Sequence, residues 1–479
     1  MAAVRIHRLR LPLEFPAGLS PGESSDGNLL TVARDGLGRP VLRGTALAGA
    51  LRQAWRHYAP TGGTAADDEV NVFGAVQADG DALLSPSALD IPDCVIGGAG
   101  NLRDRVDERS HIQINRHTGA VLDQGLFRVE AIPPLCTADV VLWLRADAAL
   151  VPSARRHIAT LAGIAGAGLV LGGHGSRGVG MARLCQAPEH KEYDLSDANQ
   201  HAEYLDDHSL WRSGHADRMG AGSVIPISPL TVQDHLLAID LELFIPRGQD
   251  FLVSSGRGTQ TEMEPQKVTG VDGKEYWRLP GSTLRGLFRA WTSRLAAREG
   301  RPVAFSLRRY QEARAAKQRI KGDDVGWCFV EPMARKAGKS VEVTCPIALL
   351  FGSLAGRGRI HIADALALAA VAQCQRRKHV AIDRITGGAI EGMLFENDVL
   401  VGAAAASPRF HVRMLVQDPE EHEARWLAQC LSALDSGLIR VGSSKASGRL
   451  ALVRAPMAHG RYEGILLAVQ PTTKERATP

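Results

Sequence analysis

Two glycine-rich loops each place one cationic side chain among many backbone N–H groups. The loops cover residues 172–180 and 443–448, and Arg177 and Lys445 occupy the same point in them, 268 residues apart. Successive N–H groups beside one cation suit a phosphate of a nucleic-acid backbone. Neither loop has the Gly-Lys-Ser/Thr ending of a nucleoside-triphosphate loop, so ATP hydrolysis is not indicated. A tight helix-to-strand turn is the alternative, but the cation in both loops favours phosphate binding. The candidate residues are His174, Ser176, Arg177, Ser444 and Lys445.

Two similar helix segments add arginines. Residues 42–55 and 279–291 align as Leu-x-Gly-Ser/Thr followed by an apolar helix pattern. The hydroxyl residue after each glycine predicts an N-cap. Gly49 and Gly286 fall in mid-helix, where glycine costs about 1 kcal/mol relative to alanine, so they suggest close approach by another backbone or a ligand. The helix start attracts anions. The candidate RNA-binding residues here are Arg43, Arg52, Arg285 and Arg289; solvated arginines on a packing helix are the alternative.

A third pair of segments predicts a β-hairpin. Residues 111–127 and 379–395 share seven identities at the constant offset of 268. Each reads as a strand, a Thr-Gly turn and a strand that returns to Leu-Phe. Arg116 and Arg384 lie near the turn and are further candidates for RNA contact. The histidine that opens each segment suits either acid–base chemistry or a structural hydrogen bond.

The order of these segments shows that the chain contains one domain twice. Val-Phe-Gly-Ala at 72–75 and Leu-Phe-Gly-Ser at 350–353 form the fourth pair. Each copy opens with an alternating strand, and an amphipathic helix precedes its glycine-rich loop and last strand. The pattern predicts an α+β fold with two tandem ferredoxin-like or RNA-recognition-type domains, each with a hairpin and insertions. The predicted boundaries are 1–186 and 235–479, with 187–234 as a linker or irregular segment and a basic insertion at about 300–345.

Composition limits the class of protein. The 479 residues are 45% apolar and 23% charged, as in globular proteins, and the net charge of +4 requires anionic partners to meet local basic patches. The apolar stretch at 158–173 is shorter than the ~20 residues of a membrane span. Seven cysteines without a CxxC pair argue against disulfides. We therefore expect a soluble, cytoplasmic protein with no membrane partner.

The four paired segments together resemble the RAMP superfamily (repeat-associated proteins), specifically the backbone subunits of type III CRISPR effector complexes. The resemblance spans nearly the whole chain, once per half. It implies a guide-RNA-binding subunit that stacks with other subunits of the complex, and a thumb hairpin in each half that kinks the duplex of guide and target RNA.

The same resemblance implies cleavage of complementary target RNA in a metal-dependent reaction. An acidic residue between the first strand and first helix is required, and Asp26 falls at its place, with Asp35 as second choice. Asp26 would be the ligand of Mg²⁺ or Mn²⁺, and the RNA itself supplies the attacking 2′-hydroxyl. The second copy offers only Glu262 and Glu264 in the corresponding loop, which puts its cleavage in doubt. An ordinary Asp-Gly turn is the alternative for Asp26.

Two other functions stay open. The chain could be a non-catalytic structural subunit that binds guide RNA, or a ribonuclease that processes the guide precursor without metal. A zinc site would need Cys345 with distant ligands such as Cys328, Cys374 and His379, and because Ala348 replaces the second cysteine of a Cys-Pro-x-Cys motif, the sequence favours a chain without zinc.

Overall fold

A computed structural model describes residues 4–26, 29–58, 65–74, 86–97, 106–114, 121–147, 150–172, 177–212, 218–226, 235–254, 263–301, 345–352, 357–369, 374–403, 407–442 and 448–472. The side chains of residues 23–26, 57–58, 65–67, 112–114 and 121–126 are not described. In the part of the chain that this covers, no helix is both long and apolar enough to cross a bilayer.

The elements of the first half, in chain order, are β1 (Arg5–Phe15), β2 (Gly22–Asp26), β3 (Leu29–Val32), β4 (Val41–Leu42), α1 (Gly44–Tyr58), α2 (Ala65–Phe73), β5 (Leu89–Asp90), β6 (Cys94–Gly97), β7 (Asp107–Ile114), β8 (Val121–Ala131), β9 (Cys136–Ala146), α3 (Val151–Ala167), β10 (Leu169–Val170), β11 (Met181–Leu184), β12 (Glu189–Asp194), α4 (Ala198–Arg212) and β13 (Ser223–Val224).

The elements of the second half are β14 (Leu236–Phe244), β15 (Asp250–Phe251), β16 (Lys267–Thr269), β17 (Glu275–Leu279), α5 (Gly281–Arg298), α6 (Pro346–Phe351), β18 (Ile360–Ile362), β19 (Ala365–Leu368), β20 (Cys374–Ile382), β21 (Ala389–Val401), β22 (Arg409–Gln417), α7 (Glu421–Asp435), β23 (Ala451–Leu452), β24 (Met457–Gly460) and α8 (Glu463–Leu467).

The chain divides into two compact units. Unit 1 comprises Met1–Asp107, Glu130–Gly175 and Val179–Val232, and unit 2 comprises Glu108–Val129, Ser176–Gly178 and Gln233–Pro479. The division differs from the predicted boundaries because the hairpin of the first half and residues 176–178 are grouped with unit 2. Sequence spacing gives the hairpin but not the residues against which it packs.

Unit 1 has the predicted ferredoxin-like topology. Its central strands run in the order β11-β1-β9-β6, and β5 also pairs with β9. In chain order these are the fourth, first, third and second strands of a βαββαβ fold, with α1 and α3 as its helices. The alternation expected of β1 buries Leu9, Leu11 and Leu13 completely. Those leucines form one face of the core beneath the helices.

Unit 2 repeats this topology. Its central strands lie in the order β18-β22-β14-β23, which is again second, third, first and fourth. Helices α5 and α7 cover one face of the sheet, and Phe288 and Trp426 enter the same core as Phe410. The two tandem ferredoxin-like domains are therefore confirmed.

The segment predicted as a linker adds structure to unit 1. Strand β12 pairs with β1 over six residues, and α4 follows it. On this second face of the sheet, Arg8 is buried and its Nη1 lies 2.8 Å from Asp207 Oδ2 on α4. Tyr193 donates a hydrogen bond to the same carboxylate at 2.6 Å. The sequence predicts a linker here and misses α4. The helix has a mostly polar sequence and its one buried residue is Asp207, so it lacks the apolar stripe by which an amphipathic helix is recognised.

We predict that Asp207→Ala lowers the free energy of unfolding of unit 1 by about 3–5 kcal/mol, because it leaves the buried Arg8 guanidinium without its counterion. Chemical denaturation followed by circular dichroism measures the change. Arg425→Ala, which breaks the exposed ion pair with Glu421, serves as the control and costs at most about 0.5 kcal/mol. Equal losses in the two variants would contradict a structural role for the buried pair.

Candidate nucleic-acid interface

A carboxylate already occupies the start of α1. Asp93 Oδ1 accepts a hydrogen bond from the Gly44 N–H at 2.9 Å, and Asp93 Oδ2 accepts one from Arg43 Nη1 at 2.7 Å. A Cβ on Gly44 would lie 1.7 Å from the carbonyl oxygen of Ile91, which explains the glycine. The expected hydroxyl N-cap is therefore replaced by Asp93, because the close approach of residue 91 brings this carboxylate to the helix end. Arg43 stays a predicted RNA contact, with an ion pair to Asp93.

The start of α5 has the same arrangement in unit 2. Asp364 Oδ1 accepts the Gly281 N–H at 2.8 Å, and Asp364 Oδ2 accepts Arg278 Nε at 2.7 Å and Arg109 Nη1 at 3.2 Å. A Cβ on Gly281 would meet the carbonyl oxygen of Ile362 at 2.1 Å. The N-cap residue, Pro280, makes no side-chain cap hydrogen bond. Asp364 is thus the cap and also the counterion of two guanidinium groups.

The repeated Phe-Gly segments end two short helices whose carbonyls bind arginines of the helix segments. Gly74 and Gly352 follow α2 and α6 with φ of 76° and 79°. Arg52 Nη2 donates to the Gly74 carbonyl at 3.0 Å, and its Nε binds Glu69 at 2.7 Å. Arg285 donates to the carbonyl of Phe351. Cations suit helix C-termini, so these contacts explain why the two segments occur together in both halves. Whether Arg52 and Arg285 also contact RNA stays a prediction.

The mid-helix glycines border open space. Among the residues that the structure describes, none lies within 4 Å of a Cβ built on Gly49 or Gly286. The close approach by another backbone that the sequence suggests is therefore absent in that part of the chain. Arg289, on the same helix as Gly286, is half-buried.

One cationic and aromatic cluster, which we call the Arg177 site, forms in unit 2 from Arg177, Phe127, His111 and Arg285. The Arg177 guanidinium carbon lies 4.3 Å from the centroid of the Phe127 ring. His111 stacks on the same ring at 5.4 Å, with 13° between the ring planes. Burial and, to a smaller extent, the positive charge of Arg177 together lower the pKa of Arg285 to about 10. Two partly buried guanidiniums beside stacked rings suit phosphate and nucleobase recognition.

Burial, followed by the charge of Arg177, also lowers the pKa of His111 to about 4. The ring is therefore neutral near pH 7. Since 4 lies below the ordinary value of 6.5, the unfolded chain takes up this proton first as the pH falls. The stability that neutral His111 gives is complete above pH 6.5 and is lost between 6.5 and about 4.

The second hairpin repeats the aromatic pair. His379 stacks on Phe395 at 5.0 Å with 18° between the planes, and the two residues are cross-strand partners of β20 and β21. Asp383 accepts the N–H groups of Ile385 and Thr386 and so closes the turn. Arg384 lies exposed on this turn. The hairpin, its turn and its returning strand are as the sequence predicts.

The structure separates the candidate acidic residues. Asp26 ends β2 and faces Leu29 across the hairpin with β3, and its side chain lies outside the described set. Asp35 is engaged: Oδ1 accepts the N–H groups of Leu37 and Arg39, and Oδ2 accepts Arg39 Nε at 2.7 Å. Burial alone would raise the pKa of Asp35, but the hydrogen bonds from Arg39 and Leu37 hold it below its usual range.

The remaining candidates are described in part. Glu264 is half-buried between Met263, which bridges to Asn397 on β21, and Pro265. The predicted candidates that lie outside the described ranges are Arg116, His174, Ser176, Glu262, Ser444, Lys445, Cys328 and residues 302–344 of the basic insertion.

Among the described residues, one group of three side chains has the spacing needed to hold a metal ion, but an arginine already lies beside its carboxylates. This group of three comprises Glu420, His422 and Glu423. Arg359 hydrogen-bonds Glu423 and lies 3.5 Å from Glu420, and both glutamates form the capping box of α7. The group therefore serves the helix end. Cys345, a zinc candidate, is instead buried at the start of α6.

Sequence reasoning missed Asp93 and Asp364, which hold the two helix starts. A short internal match could have indicated them: Ile91-Pro-Asp93 and Ile362-Ala-Asp364 repeat at an offset of 271 residues. It also missed the aromatic partner Phe127 as a platform for Arg177, although the Leu-Phe pair was part of the repeat.

The topology and the Arg177 site together define a class of protein with two ferredoxin-like units and basic, aromatic sites suited to RNA. A family model of the RAMP superfamily matches residues 16–182 and 227–449, well over half of the chain, so the chain belongs to the RAMP superfamily. Membership implies a CRISPR-associated role in binding RNA. The two matched regions correspond to the two tandem copies. No curated protein matched the chain.

We predict that Arg177→Gln raises the pKa of His111, because the substitution removes the positive charge that acts together with burial to lower it. Titration of the histidine ring signals by NMR gives a midpoint near 4 in the parent chain and a higher one in the variant. Arg183→Gln removes an arginine whose guanidinium binds Glu14 instead, and should leave the midpoint in place. A midpoint that does not move in Arg177→Gln would exclude the proximity of these two groups in solution.

Proposed function

We propose that the protein is a guide-RNA-binding backbone subunit of a type III CRISPR complex and cleaves complementary target RNA. The Arg177 site is the observation that carries the proposal. Its guanidinium lies over an aromatic ring that also stacks with a neutral histidine, and its positive charge adds to the effect of burial in lowering the pKa of a second guanidinium, Arg285. Concentrated positive charge of this kind attracts a ribose–phosphate strand.

The aromatic rings suit a strand with unstacked bases. Proteins bind single-stranded RNA by stacking bases on aromatic rings and arginine planes while cations follow the backbone. The two hairpins each carry a His–Phe stack, at 5.4 Å and 5.0 Å. Two such stacks in tandem would give two equivalent points of contact along one guide, which supports a subunit that covers two steps of the RNA.

For cleavage, Asp26 is favoured over Asp35. Both carboxylate oxygens of Asp35 already accept hydrogen bonds from N–H groups within its own turn, so Asp35 does not suit a metal ion. Asp26 lies at the end of β2, next to the hairpin loop. Mg²⁺ is usually held by one or two carboxylates together with phosphate oxygens and water. Asp26 would hold the Mg²⁺ or Mn²⁺, and that ion would stabilise the charge that develops when the 2′-hydroxyl attacks.

The second copy is proposed to bind RNA and not to cut it. Its loop presents Glu264, half-buried beside the bridge of Met263 to Asn397, in place of an aspartate. The two halves would then share RNA binding and differ in cleavage.

We predict that Arg177→Gln weakens binding of single-stranded RNA by about 3- to 10-fold and lowers the slope of log affinity against log salt by about one. Filter binding of the full chain at several salt concentrations measures both. Arg183→Gln, on an exposed side chain paired with Glu14, is the matched control. If both variants lose affinity equally, the Arg177 site is not the RNA contact.

We predict that Asp26→Asn slows cleavage of target RNA by about 100-fold or more, because an amide cannot replace the carboxylate as metal ligand or proton acceptor. The complex is purified through a tag on this chain with its guide RNA, and cleavage of complementary RNA is followed with Mg²⁺ and with EDTA. Asp35→Asn is the control and keeps the rate.

The outcomes distinguish the proposal from its alternatives. Unchanged cutting by Asp26→Asn would reject this residue. Guide binding without any cutting by the parent complex would indicate a structural subunit. Cleavage of guide precursor by the chain alone in EDTA would indicate a metal-independent processing ribonuclease.

A further inference from the structure

The β2–β3 hairpin, which carries Asp26, is held at its base by one residue, Glu130. Glu130 lies near the end of β8 and belongs to unit 1. Its carboxylate oxygen Oε2 accepts a hydrogen bond at 2.9 Å from the N–H of Val32, the last residue of β3. Its backbone carbonyl oxygen accepts one at 2.8 Å from the hydroxyl of Ser20, two residues before β2. A single residue thus binds both ends of the hairpin.

The chain on either side of these contacts is packed into the core. Leu19 and Ile132 exchange two backbone hydrogen bonds, with N–O distances of 2.7 and 3.3 Å. A Cβ on Gly172 would lie 2.7 Å from the carbonyl oxygen of Ser20, so the backbone after β10 also approaches this segment closely. Ser20 and Val32 are only 2% and 3% exposed. The base of the hairpin is therefore a fixed point from which its tip extends.

A β-bulge separates this base from Asp26. Gly22 pairs with Val32 near the base, and Asp26 pairs with Leu29 near the tip. Strand β2 therefore advances four positions, from 22 to 26, where β3 advances three, from 29 to 32. Bulges of this kind occur next to active sites, where they change the direction in which a strand presents its residues. Because the bulge is fixed by sequence, the placement of position 26 depends on how firmly the base is held.

The acidic residue at the corresponding position of the second copy makes a different contact. Asp398 stands 268 residues after Glu130, and its Oδ1 accepts a hydrogen bond from Arg376 Nε at 3.2 Å. Arg376 and Asp398 lie on the paired strands β20 and β21. The backbone N–H of Asp398 donates to the carbonyl oxygen of Met263 at 2.9 Å. The two halves thus differ at this position as they are proposed to differ in cleavage.

We propose that Glu130 is a positioning residue for the cleavage of target RNA and acts by holding the β2–β3 hairpin so that Asp26 stays at the reacting phosphate. This inference rests on the proposed function, in which Asp26 holds the metal ion. A displacement of about 1 Å can slow an enzymatic reaction by about 100-fold. A hairpin released from Glu130 would therefore leave RNA binding intact and slow the cutting step.

The first test measures steady-state cleavage by the full complex with its guide RNA. Glu130→Ala leaves the Val32 N–H without this acceptor and is expected to lower kcat by about 10- to 100-fold, with KM within about 3-fold of the parent value. Glu130→Gln keeps an oxygen that can accept the same N–H, and is expected to lose no more than about 3-fold. Glu14→Ala is the matched control: its carboxylate is 19% exposed, against 22% for Glu130, and binds Arg183 instead. It is expected to cut like the parent.

A double-mutant cycle tests whether Glu130 acts through Asp26. Asp26→Asn removes the group that the hairpin positions, so adding Glu130→Ala to it is expected to slow the residual cleavage by less than about 2-fold. A further loss as large as that of Glu130→Ala alone would overturn the proposal, because Glu130 would then act on something other than Asp26.

Hydrogen exchange of the same complexes gives a readout that does not depend on activity. Peptides that cover residues 20–34 are expected to exchange about 10-fold faster or more in Glu130→Ala, and at the parent rate in Glu14→Ala. Unchanged exchange in Glu130→Ala, or faster exchange with unchanged cutting, would reject the role of Glu130 alone. Unchanged cutting by Asp26→Asn would reject the proposed cleavage by Asp26, and the role of Glu130 with it.

Discussion

Each half of the protein depends on one carboxylate at the first turn of its central helix. The first N–H groups of a helix need acceptors from outside the helix, and Asp93 and Asp364 supply them from the strand region that follows residues 91 and 362. The same contact brings a carbonyl oxygen so near to Gly44 and Gly281 that no side chain fits. Helix, strand and glycine are therefore fixed together, and none can change without the others.

This constraint also bears on where the proposed RNA contact lies. A helix start that is free attracts phosphate, but here the two starts already hold a carboxylate. Affinity for an anionic strand must come from side chains instead, and Arg177 and Arg285 bring two guanidiniums to one place in unit 2. The first of them lies over the ring of Phe127, on which His111 stacks in turn. Carboxylates thus organise the fold while arginines form the proposed contact with RNA.

Much of the fold could be predicted from the sequence because the same ordered set of segments occurs in both halves of the chain. Alternating residues gave β1 and β14, and the constant offset of 268 gave the strands of both hairpins. Helix α4 could not be found, since it buries a charged residue rather than an apolar stripe. Asp364 could not be paired with Arg109 either, because the two residues are 255 positions apart and only the folded chain brings them together.

The arginines show the limit of the same reasoning for the site. Spacing placed Arg52 and Arg285 on helices, but not against the carbonyl groups of Gly74 and Phe351. Such contacts depend on how the C-terminal ends of α2 and α6 pack against α1 and α5, which residue spacing does not indicate. Asp35 likewise appears as a candidate in the sequence, while its hydrogen bonds to Leu37 and Arg39 exist only in the folded turn.

The guanidinium of Arg8 has a consequence for how the gene could be divided. Its counterion lies on α4, beyond the last strand of the ferredoxin-like core, and on the same side of that boundary Tyr193, Tyr204 and Trp211 pack against Trp143 of the core. A fragment that stopped at the end of the core would lose this cover and expose the apolar side chains of Ile6, Val141 and Trp143 to water. The extension therefore completes the second face of the sheet, and the first half is best expressed together with it.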